Sequence, residues 1–336
     1  LESSKVFAKL FMKKYGIRTP RFEIVENPEQ LDNTLRKFSP PYVLKIDGLA
    51  GGKGVILVDN FQEALKKGKL LMRGEFIKGV KGMLVVDEYM DGYELTAIAL
   101  VNNRRFTILP FVRDYKKIGD NDTGPNTGGM GAISPHPELT KELEDKIMNM
   151  VVNPVVKKFK EVEGKIFKGI LYPVIMITKE DGELVPKVLE INVRECDPGA
   201  QAKLPRLLSD MYELSMAIIE GRLKDFEIKF SENYCVAVCA VSGALKGREG
   251  LKPGYPGDHY TNQPITGLEE AKKVALIYAN GIAKPNGYQT TGGRVLTVVG
   301  SGKTVNEARE KAYGALGKIK FPGIRYRKTI GLNTLD

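Results

Sequence analysis

The stretch IDGLAGGKGVILV places Gly51, Gly52 and Gly54 around Lys53, between two runs of β-forming residues. A Walker phosphate loop needs a hydroxyl residue after the lysine and a helix after the loop, whereas Gly54 and a second β-rich run follow here. The loop is therefore predicted to be a hairpin lid whose glycines let the backbone approach an anion closely. Lys45 on the incoming strand and Lys53 would then reach phosphate oxygens. An ordinary glycine-rich hairpin with a solvent lysine explains this stretch equally well.

The later stretch VLEINVREC carries Glu190, Asn192 and Arg194, which are two residues apart and so share one face of a strand. Glutamate and asparagine oxygens suit a hard cation such as Mg²⁺, which usually takes one or two protein carboxylates together with nucleotide phosphates. Arg194 is suited to clamp a phosphoryl group with two parallel hydrogen bonds. A half-exposed strand with ordinary polar side chains is the alternative that this stretch alone leaves open.

A third stretch, VVDEYMDGYEL, runs from a strand into a short acidic linker, Asp87 to Met90, with Glu94 beyond it. The backbone groups of such a linker can bind an adenine edge, while Glu94 accepts hydrogen bonds from ribose hydroxyls. Acidic turns are common, so this stretch indicates a nucleotide site only in combination with the other two.

Composition excludes several classes of protein. The 336 residues are 42% hydrophobic, and no apolar run reaches the ~18 residues that span a bilayer, so no membrane partner is expected. The net charge of +10 comes from lysines interspersed with acidic residues, which is typical of solvated helix faces rather than of a nucleic-acid surface. Cys196, Cys235 and Cys239 form no disulfide or metal motif, which favours a reducing cytosol. Cys235 and Cys239 lie in the strand-like run NYCVAVCAVSG, which favours inert core thiols at these two positions. His136 and His259 have no credible nucleophile beside them in the sequence.

Hydrophobic periodicity predicts the elements that position these groups. Helices are predicted over SKVFAKLFMKKYG, FQEALKKGKLLMRG, LTKELEDKIMNMVVNPVVKKFKE and KLPRLLSDMYELSMAIIEGRL. Strands are predicted at PPYVLKID, GVILVDN, GMLVVDEYM, GILYPVIMIT and KVLEINVREC, with YELTAIALV and RRFTILPFV as a hairpin. IGDNDTGPNTGGMGAISPHPE is predicted to be a long loop, and the short strands and turns beyond about residue 229 indicate a separate C-terminal α/β unit.

A strand lysine, a glycine–lysine hairpin, an acidic linker and an E-x-N strand, in this order, resemble the ATP-grasp superfamily. KIDGLAGGKGV, GDNDTGPNTGGMGAISP, EINVRECDPGAQ, GGRVL and KAYGALGKIKFPGIRYRKTIG are similar to segments of the phosphoribosylamine–glycine ligases (glycinamide ribonucleotide synthetases). The resemblance runs from the first residue to about Gly331 and implies an α/β (α+β) protein: an ATP-grasp fold with a mobile lid subdomain and a small C-terminal α/β domain. The implied division is 1–41 with 93–228 as the main domain, 42–92 as the lid and 229–336 as the C-terminal domain.

The resemblance also implies an activity. A ligase of this family would join glycine to 5-phosphoribosylamine through a glycyl phosphate and give glycinamide ribonucleotide, ADP and phosphate in de novo purine biosynthesis. ATP with Mg²⁺ or Mn²⁺ would be required, and the expected protein is a cytoplasmic monomer or dimer.

The resemblance assigns roles by position. The ATP-binding residues would be Lys45, Gly51, Gly52, Lys53, Gly54, Asp87, Tyr89, Met90 and Glu94. The metal ligands would be Glu190 and Asn192, and the catalytic residues Arg194, Asp197 and Lys53. The loop over glycine and phosphoribosylamine would be shaped by Asp122, Thr123, Asn126, Gly128 and Gly129.

Three departures from the family pattern carry expectations of their own. The N-terminal domain usual in the family is not part of the sequence, and we expect either that this is a truncated or processed chain or that the domain comes from another polypeptide. RECDPG stands where RFGDPE is usual, so Glu195 should lie at a strand end or have a partner, because an unpaired buried carboxylate is costly. RDYKK replaces QDHKR and so brings Tyr115 in place of a histidine. Two alternatives stay open: a related carboxylate–amine ligase with another substrate, and a nucleotide-binding module without turnover.

Overall fold

The structure is a computed structural model of the chain. It describes residues 1–50, 54–77, 79–103, 105–163, 167–248, 250–283 and 287–332, with the backbone alone at 160–163. Gly51, Gly52 and Lys53 of the predicted phosphate hairpin therefore lie outside the described residues. Within the described ranges, every helix is too short or too polar to cross a bilayer.

The described residues form helices and strands in alternating groups. The helices are α1 (Lys5–Lys14), α2 (Leu31–Leu35), α3 (Phe61–Arg73), α4 (Lys141–Ile147), α5 (Asn153–Glu163), α6 (Gly199–Lys203), α7 (Met211–Glu220), α8 (Leu268–Lys272) and α9 (Val305–Leu316). The strands are β1 (Phe22–Val25), β2 (Tyr42–Ile46), β3 (Val55–Val58), β4 (Leu84–Asp87), β5 (Tyr93–Asn102), β6 (Arg105–Lys117), β7 (Asn126–Ser134), β8 (Lys168–Glu180), β9 (Glu183–Asn192), β10 (Tyr234–Ser242), β11 (Leu276–Ala279), β12 (Ile282–Ala283), β13 (Gln289–Thr290), β14 (Arg294–Gly302) and β15 (Ile324–Arg325).

The chain divides into two compact units. The first unit comprises Leu1–Leu109, Thr140–Arg194 and Ile218–Leu223, and the second comprises Pro110–Leu139, Glu195–Ala217 and Lys224–Asp336. This division into two units differs from the main domain, lid and C-terminal domain that the sequence led us to expect. The three-domain division stays a prediction.

In the first unit, an antiparallel sheet of order β1-β4-β2-β3 carries the phosphate hairpin. β2 pairs with β3, and Lys45 lies opposite Val55, as expected for a loop that joins two strands. β1 pairs with β4, so the expected segments 1–41 and 42–92 share this one sheet. α2 and α3 cover it through a core that includes Leu31, Leu44 and Leu71, because their apolar residues recur at helical spacing.

The first unit also contains the antiparallel order β5-β8-β9. The pairing of β8 with β9 shifts register between Val174 and Ile175, which lie opposite Glu190 and Val188. β9 ends at Asn192, four residues before the end of the predicted strand. Glu190 and Asn192 are therefore paired in the sheet, whereas Arg194 lies beyond the strand.

In the second unit, the strands follow the order β11-β14-β10-β7-β6, and β15 pairs with β10. The expectation of a loop from 118 to 138 was wrong over Asn126–Ser134, which is strand β7 and pairs with both β6 and β10. Its glycines allow close packing: a Cβ on Gly131 would lie 2.6 Å from the backbone oxygen of Ala237. Glycines that usually mark a loop thus mark a crowded central strand here.

Two predicted helices are interrupted. The helix over 139–161 contains a π-helical segment, Met148–Val152, between α4 and α5. The helix over 203–223 breaks after Lys203, because Leu207 is extended and Asp210 caps a new helix by accepting from the amides of Tyr212 and Glu213.

Candidate active site

Helix α1 begins against the phosphate hairpin. Ser4 caps it by accepting from the Phe7 amide at 3.0 Å, and the Ser4 hydroxyl lies 3.1 Å from a carboxylate oxygen of Asp47. Asp47 also accepts from the Val6 amide, which places a carboxylate at the helix N-terminus, where the helix dipole favours negative charge. Lys5 donates to the backbone oxygen of Gly48 at 2.9 Å. The first turn of α1 is thus attached to the start of the hairpin.

A cavity of about 300 Å³ lies within the first unit. This volume is at the lower end of the range for small-molecule sites. Residues of α1, the β2–β3 hairpin and the end of β9 line it: Leu1, Glu2, Lys5, Ala8, Lys9, Met12, Lys45, Gly48, Leu49, Ala50, Gly54, Val55, Leu189, Glu190, Ile191, Asn192 and Arg194. Gly54 is required sterically, because a Cβ there would lie 2.7 Å from the Cβ of Ala50.

Two buried lysines in the cavity wall share one carboxylate. The ammonium groups of Lys45 and Lys9 lie 2.7 and 2.9 Å from Oδ2 of Asp87, and all three side chains are less than a tenth exposed. Lys45 also donates to the backbone oxygen of Leu189 on β9 at 3.3 Å. Burial lowers the pKa of Lys9 to about 8, although Asp87 opposes the shift. The pKa of Lys5 is also lowered by burial.

The polar face predicted for the E-x-N strand lines this cavity. The side-chain amide of Asn192 donates to Oε1 of Glu190 at 3.2 Å, and Asn192 is buried. The Arg194 guanidinium, which lies just beyond the strand, donates from Nε to Glu2 at 2.9 Å. The other carboxylate oxygen of Glu2 accepts from the Val193 amide. Glu190, Asn192 and Arg194 thus lie on one cavity together with Lys45 and Gly54.

The residues expected to bind adenine and ribose lie elsewhere in the first unit. Tyr89 and Met90 lie in the linker between β4 and β5, Tyr89 is exposed, and half-buried Glu94 pairs with Met176 across β5 and β8. Asp87 is the buried partner of the two lysines rather than an exposed linker residue. None of these four residues belongs to the lining of the cavity in the part of the chain that the structure describes.

The second unit brings together part of the predicted substrate set. Asp197 forms an ion pair with Arg294 at 2.8 Å and accepts from Gln201 at 2.9 Å. Arg294 also donates to the backbone oxygen of Gly128 at 3.3 Å. Gly129 has a φ of +121°, and a Cβ there would lie 2.5 Å from Pro198, so only glycine fits beside Asp197. The GGMG run and the DPG turn therefore meet around one arginine.

Asp114 adjoins this cluster and was not identified from the sequence. Its carboxylate is buried, Oδ2 lies 2.5 Å from the ammonium group of Lys116, and Oδ1 has no hydrogen-bond partner among the described residues. The Cβ position of Gly129 is 3.4 Å from that Oδ1. A buried carboxylate oxygen of this kind is a candidate acceptor for an ammonium group.

The segment Asp120–Asp122 is held by the C-terminal segment in a conformation that is unusual for its residues. Asn121 and Asp122 have φ values of 52° and 53°, in the left-handed region. The guanidinium of buried Arg327 contacts Asp122 at 2.6 Å, and Asp120 accepts from the backbone amides of Lys328 and Thr329. Thr123 lies next to this segment, whereas Asn126 opens β7 opposite Lys117.

The residues that differ from the family pattern in RECDPG have partners close by in the chain. The ammonium group of fully buried Lys203 lies 2.9 Å from both carboxylate oxygens of Glu195, which confirms the expectation of a partner. A Cβ on Gly199 would lie 2.2 Å from Sγ of Cys196. Cys196 is buried, and burial raises the pKa of its thiol to about 12, so it is an inert core group. A side chain at 196 thus excludes one at 199.

Lys5, Lys9, Asp114 and Arg294 were not identified from the sequence. The available signal for Lys5 and Lys9 was their spacing of four residues, which puts them on one face of α1. Lysines on an amphipathic helix usually face solvent, so this signal is weak. For Asp114 and Arg294, which are far apart in the chain, local spacing gives no signal.

Comparisons with known proteins identify the family of this chain. Residues 3–200 match the model of the phosphoribosylglycinamide synthetase ATP-grasp (A) domain, and residues 251–333 match that of the synthetase's C domain. A phosphoribosylamine–glycine ligase of Archaeoglobus fulgidus is 53% identical over 99% of this chain and 77% of its own length. One of Thermotoga maritima is 44% identical over 99% of this chain and 78% of its own length.

Solved structures give the same class. The crystal structure of the Thermotoga maritima ligase covers 97% of this chain and 78% of that chain, with a TM-score of 0.84 and 42% identity. The biotin carboxylase domain of Hydrogenobacter thermophilus 2-oxoglutarate carboxylase covers 97% and 67%, with a TM-score of 0.69 and 17% identity, and so shows the fold alone. The family match and the fold define an ATP-grasp protein. Within that class, the chain belongs to the phosphoribosylglycinamide synthetase family.

The contact between Cys196 and Gly199 predicts a coupling between two substitutions. Gly199→Ala should lower the urea midpoint of unfolding, because overpacking of a filled core costs ~1–3 kcal/mol. In a Cys196→Ala background, which removes only Sγ, the same change should cost much less, because the remaining contacts of the new Cβ, with Cβ of residue 196 and Cγ1 of Val112, are both 3.2 Å. Urea unfolding of the four proteins of this cycle measures the coupling. Additive effects would show that Sγ does not exclude a side chain at 199.

Arg327 is predicted to hold the segment around Asp122. Arg327→Met removes its contacts with Asp122 and Thr329, so the strained residues should open more often. Amide hydrogen exchange in a peptide covering residues 118–125 should become about tenfold faster, which corresponds to ~1.4 kcal/mol of local opening. Arg325→Met, at an exposed position on β15, is the matched control. Equal exchange in both variants would contradict this role of Arg327.

Proposed function

We infer that this chain catalyses the reaction for which its relatives are named, the ATP-dependent ligation of glycine to phosphoribosylamine. Family membership supports this function, since a curated relative with that name is 53% identical over 99% of the chain. The observation in the structure that carries the proposal is the cavity in which Lys5, Lys45, Glu190, Asn192 and Arg194 converge. Cations, a carboxylate and an amide around one cavity suit a metal-bound polyphosphate.

The phosphates of ATP would be bound by the lysines of this cavity. Lys5 and Lys45 line it from α1 and β2, so their ammonium groups border the space that the phosphates would occupy. Gly51, Gly52 and Lys53 stay part of the proposal on the strength of the resemblance. The same holds for Tyr89, Met90 and Glu94 as the adenine and ribose residues. Asp87 is proposed instead as the counterion that positions Lys45.

The donor set at the end of β9 fits a hard divalent cation. Glu190 and Asn192 supply oxygen donors, and their side chains contact each other at 3.2 Å. The described residues contain no cluster of three or more His, Cys, Asp or Glu side chains able to hold a metal. Mg²⁺ or Mn²⁺ would therefore take its other ligands from phosphate and water and would neutralise phosphate charge. Arg194 would stabilise the transferring phosphoryl group.

The second unit would bind the acceptor groups. We propose that Oδ1 of Asp114 accepts from the ammonium group of glycine, because it is a buried carboxylate oxygen without a described hydrogen-bond partner. Asp197, held by Arg294, would lie beside the reacting groups. Asp122, Thr123, Asn126, Gly128 and Gly129 would shape the substrate loop, as the resemblance implies.

The reaction needs positioning and charge compensation rather than a protein nucleophile. A glycine carboxylate oxygen attacks the γ-phosphorus of ATP, and the bond to the β-phosphate oxygen breaks, which releases ADP and gives glycyl phosphate. The amine nitrogen of phosphoribosylamine then attacks the glycyl carbonyl, phosphate leaves, and the nitrogen loses a proton.

We further propose that the protein is located in the cytoplasm and is a monomer or a dimer.

A direct assay tests this function. The chain is incubated with ATP, Mg²⁺, glycine and freshly prepared phosphoribosylamine, and glycinamide ribonucleotide is measured by mass spectrometry. Formation of the product that depends on all four components supports the proposal. No product, even with a separately supplied N-terminal domain, or faster ADP release with another amino acid than with glycine, would contradict it.

Glu190 is predicted to be essential for turnover and unimportant for folding. Glu190→Gln should lower kcat at least about a hundredfold, because loss of one charged ligand weakens both metal binding and phosphoryl positioning. Glu183→Gln, at an exposed position at the start of the same strand, should leave kcat unchanged. ADP release and the melting temperature of both variants are measured across a Mg²⁺ titration. Identical Mg²⁺ dependence in Glu190→Gln and the unmodified chain would refute the metal assignment.

A further inference from the structure

Lys9 is a buried cation in the cavity wall to which the sequence motifs assign no role. It lies in the second turn of α1, is 2% exposed and lines the cavity. Burying a lysine costs several kcal/mol unless it is paired, so its position requires a partner.

The partner of Lys9 is shared, and the sharing leaves an excess of positive charge. Oδ2 of Asp87 lies 2.9 Å from the ammonium group of Lys9 and 2.7 Å from that of Lys45. One carboxylate therefore serves two ammonium groups, and both lysines belong to the cavity lining. In a region of low dielectric constant, such an excess is relieved when an anion binds nearby.

A second set of contacts attaches Lys9 to the strand that carries Glu190. Its ammonium group donates to the Thr19 hydroxyl at 2.8 Å, and that hydroxyl donates to the backbone oxygen of Val188 at 2.7 Å. Lys45 donates to the neighbouring carbonyl, Leu189. Both lysines are thus hydrogen-bonded, directly or through Thr19, to the backbone of β9 just before Glu190.

We propose that Lys9 is a positioning residue of this cavity, which fixes Lys45 through Asp87 and takes up a proton from solvent when the polyphosphate of a nucleotide binds. The proposal rests on the proposed function in one respect, namely that the cavity binds ATP. It goes beyond that function because it states that Lys9 exists in a neutral and a protonated form, and that the protonated form is the one present when the ligand is bound.

The charged groups around Lys9 determine the sign of this effect. Burial lowers its pKa to about 8, Asp87 and Glu88 from the β4 side oppose the shift, and Lys45 from β2 adds to it. From β1, Lys9 faces the uncharged ring of Phe22 at 5.4 Å. A polyphosphate in the cavity adds negative charge and must raise the pKa of Lys9. Lys9 should therefore take up a proton when the polyphosphate binds above about pH 8. Below about pH 7 Lys9 is already protonated, so binding should cause little uptake.

Isothermal titration calorimetry tests this proposal. ATP with Mg²⁺, without glycine, is titrated into the chain in two buffers of different ionisation enthalpy, which gives the number of protons taken up. The part due to Lys9 should be about 0.7 proton per ATP at about pH 8.5 and under about 0.1 at about pH 6.5. Lys5 lines the same cavity and stays in every variant, so the prediction concerns the difference between proteins.

Three variants separate the possible roles of Lys9. Lys9→Arg keeps the charge but does not titrate, so it should take up about 0.7 proton less per bound ATP at about pH 8.5, whatever its ATP affinity. Lys13→Arg, at an exposed position on the same helix, should leave the uptake unchanged. Lys9→Gln should also take up fewer protons per bound ATP than the unmodified chain. It replaces Lys9→Arg in the experiment if Lys9→Arg shows no cooperative melting transition.

The possible outcomes are distinguishable. Uptake by Lys9→Arg, or by Lys9→Gln, that equals the uptake of the unmodified chain overturns the inference while ATP binding stands. Lack of ATP binding by the unmodified chain overturns the proposed function, and this inference with it. A purely structural role of Lys9 would change the melting temperature but not the proton count.

Discussion

One buried carboxylate, that of Asp87, joins α1, β2 and β4 in the first unit. Asp87 binds Lys45 from the phosphate hairpin sheet and Lys9 from helix α1 through the same oxygen atom. Because each of the three charges would be costly alone, their mutual contact fixes how α1, β2 and β4 pack. The excess positive charge borders the cavity in which Glu190 and Asn192 lie. Under the proposed function, the arrangement that makes the packing specific would therefore also attract a polyphosphate.

The second unit shows how a family motif can change without loss of packing. In RECDPG, Cys196 fills the space that a side chain at 199 would need, and Lys203 neutralises Glu195. The ion pair between Asp197 and Arg294 lies beside these changes and contacts the Gly128 backbone. The changes within RECDPG thus have compensating contacts within the same few residues. Buried Asp114 lies nearby as a carboxylate close to Gly129.

Sequence reasoning succeeded where a local pattern determines a local structure. The pairing of β2 with β3, helix α1 with its Ser4 cap, and Glu190 and Asn192 on β9 follow from periodicity and capping alone. Arg194 was expected on the same strand but lies beyond its end, although it lines the same cavity. Strand β7 was missed because glycine usually signals a loop, whereas here it permits close strand packing. Asp87 was assigned to a linker because its two lysine partners are distant in the chain. Contacts between distant residues, such as the partner of Lys9, leave no periodic signal.

The most direct test of the central claim is a crystal structure of the chain with ATP and Mn²⁺, measured with anomalous scattering from manganese. Binding as proposed gives an anomalous peak about 2.2 Å from oxygens of Glu190 and Asn192, with the triphosphate between that peak and Lys45. A manganese peak away from these two side chains, or a nucleotide outside the cavity bordered by Lys9 and Lys45, would contradict the claim.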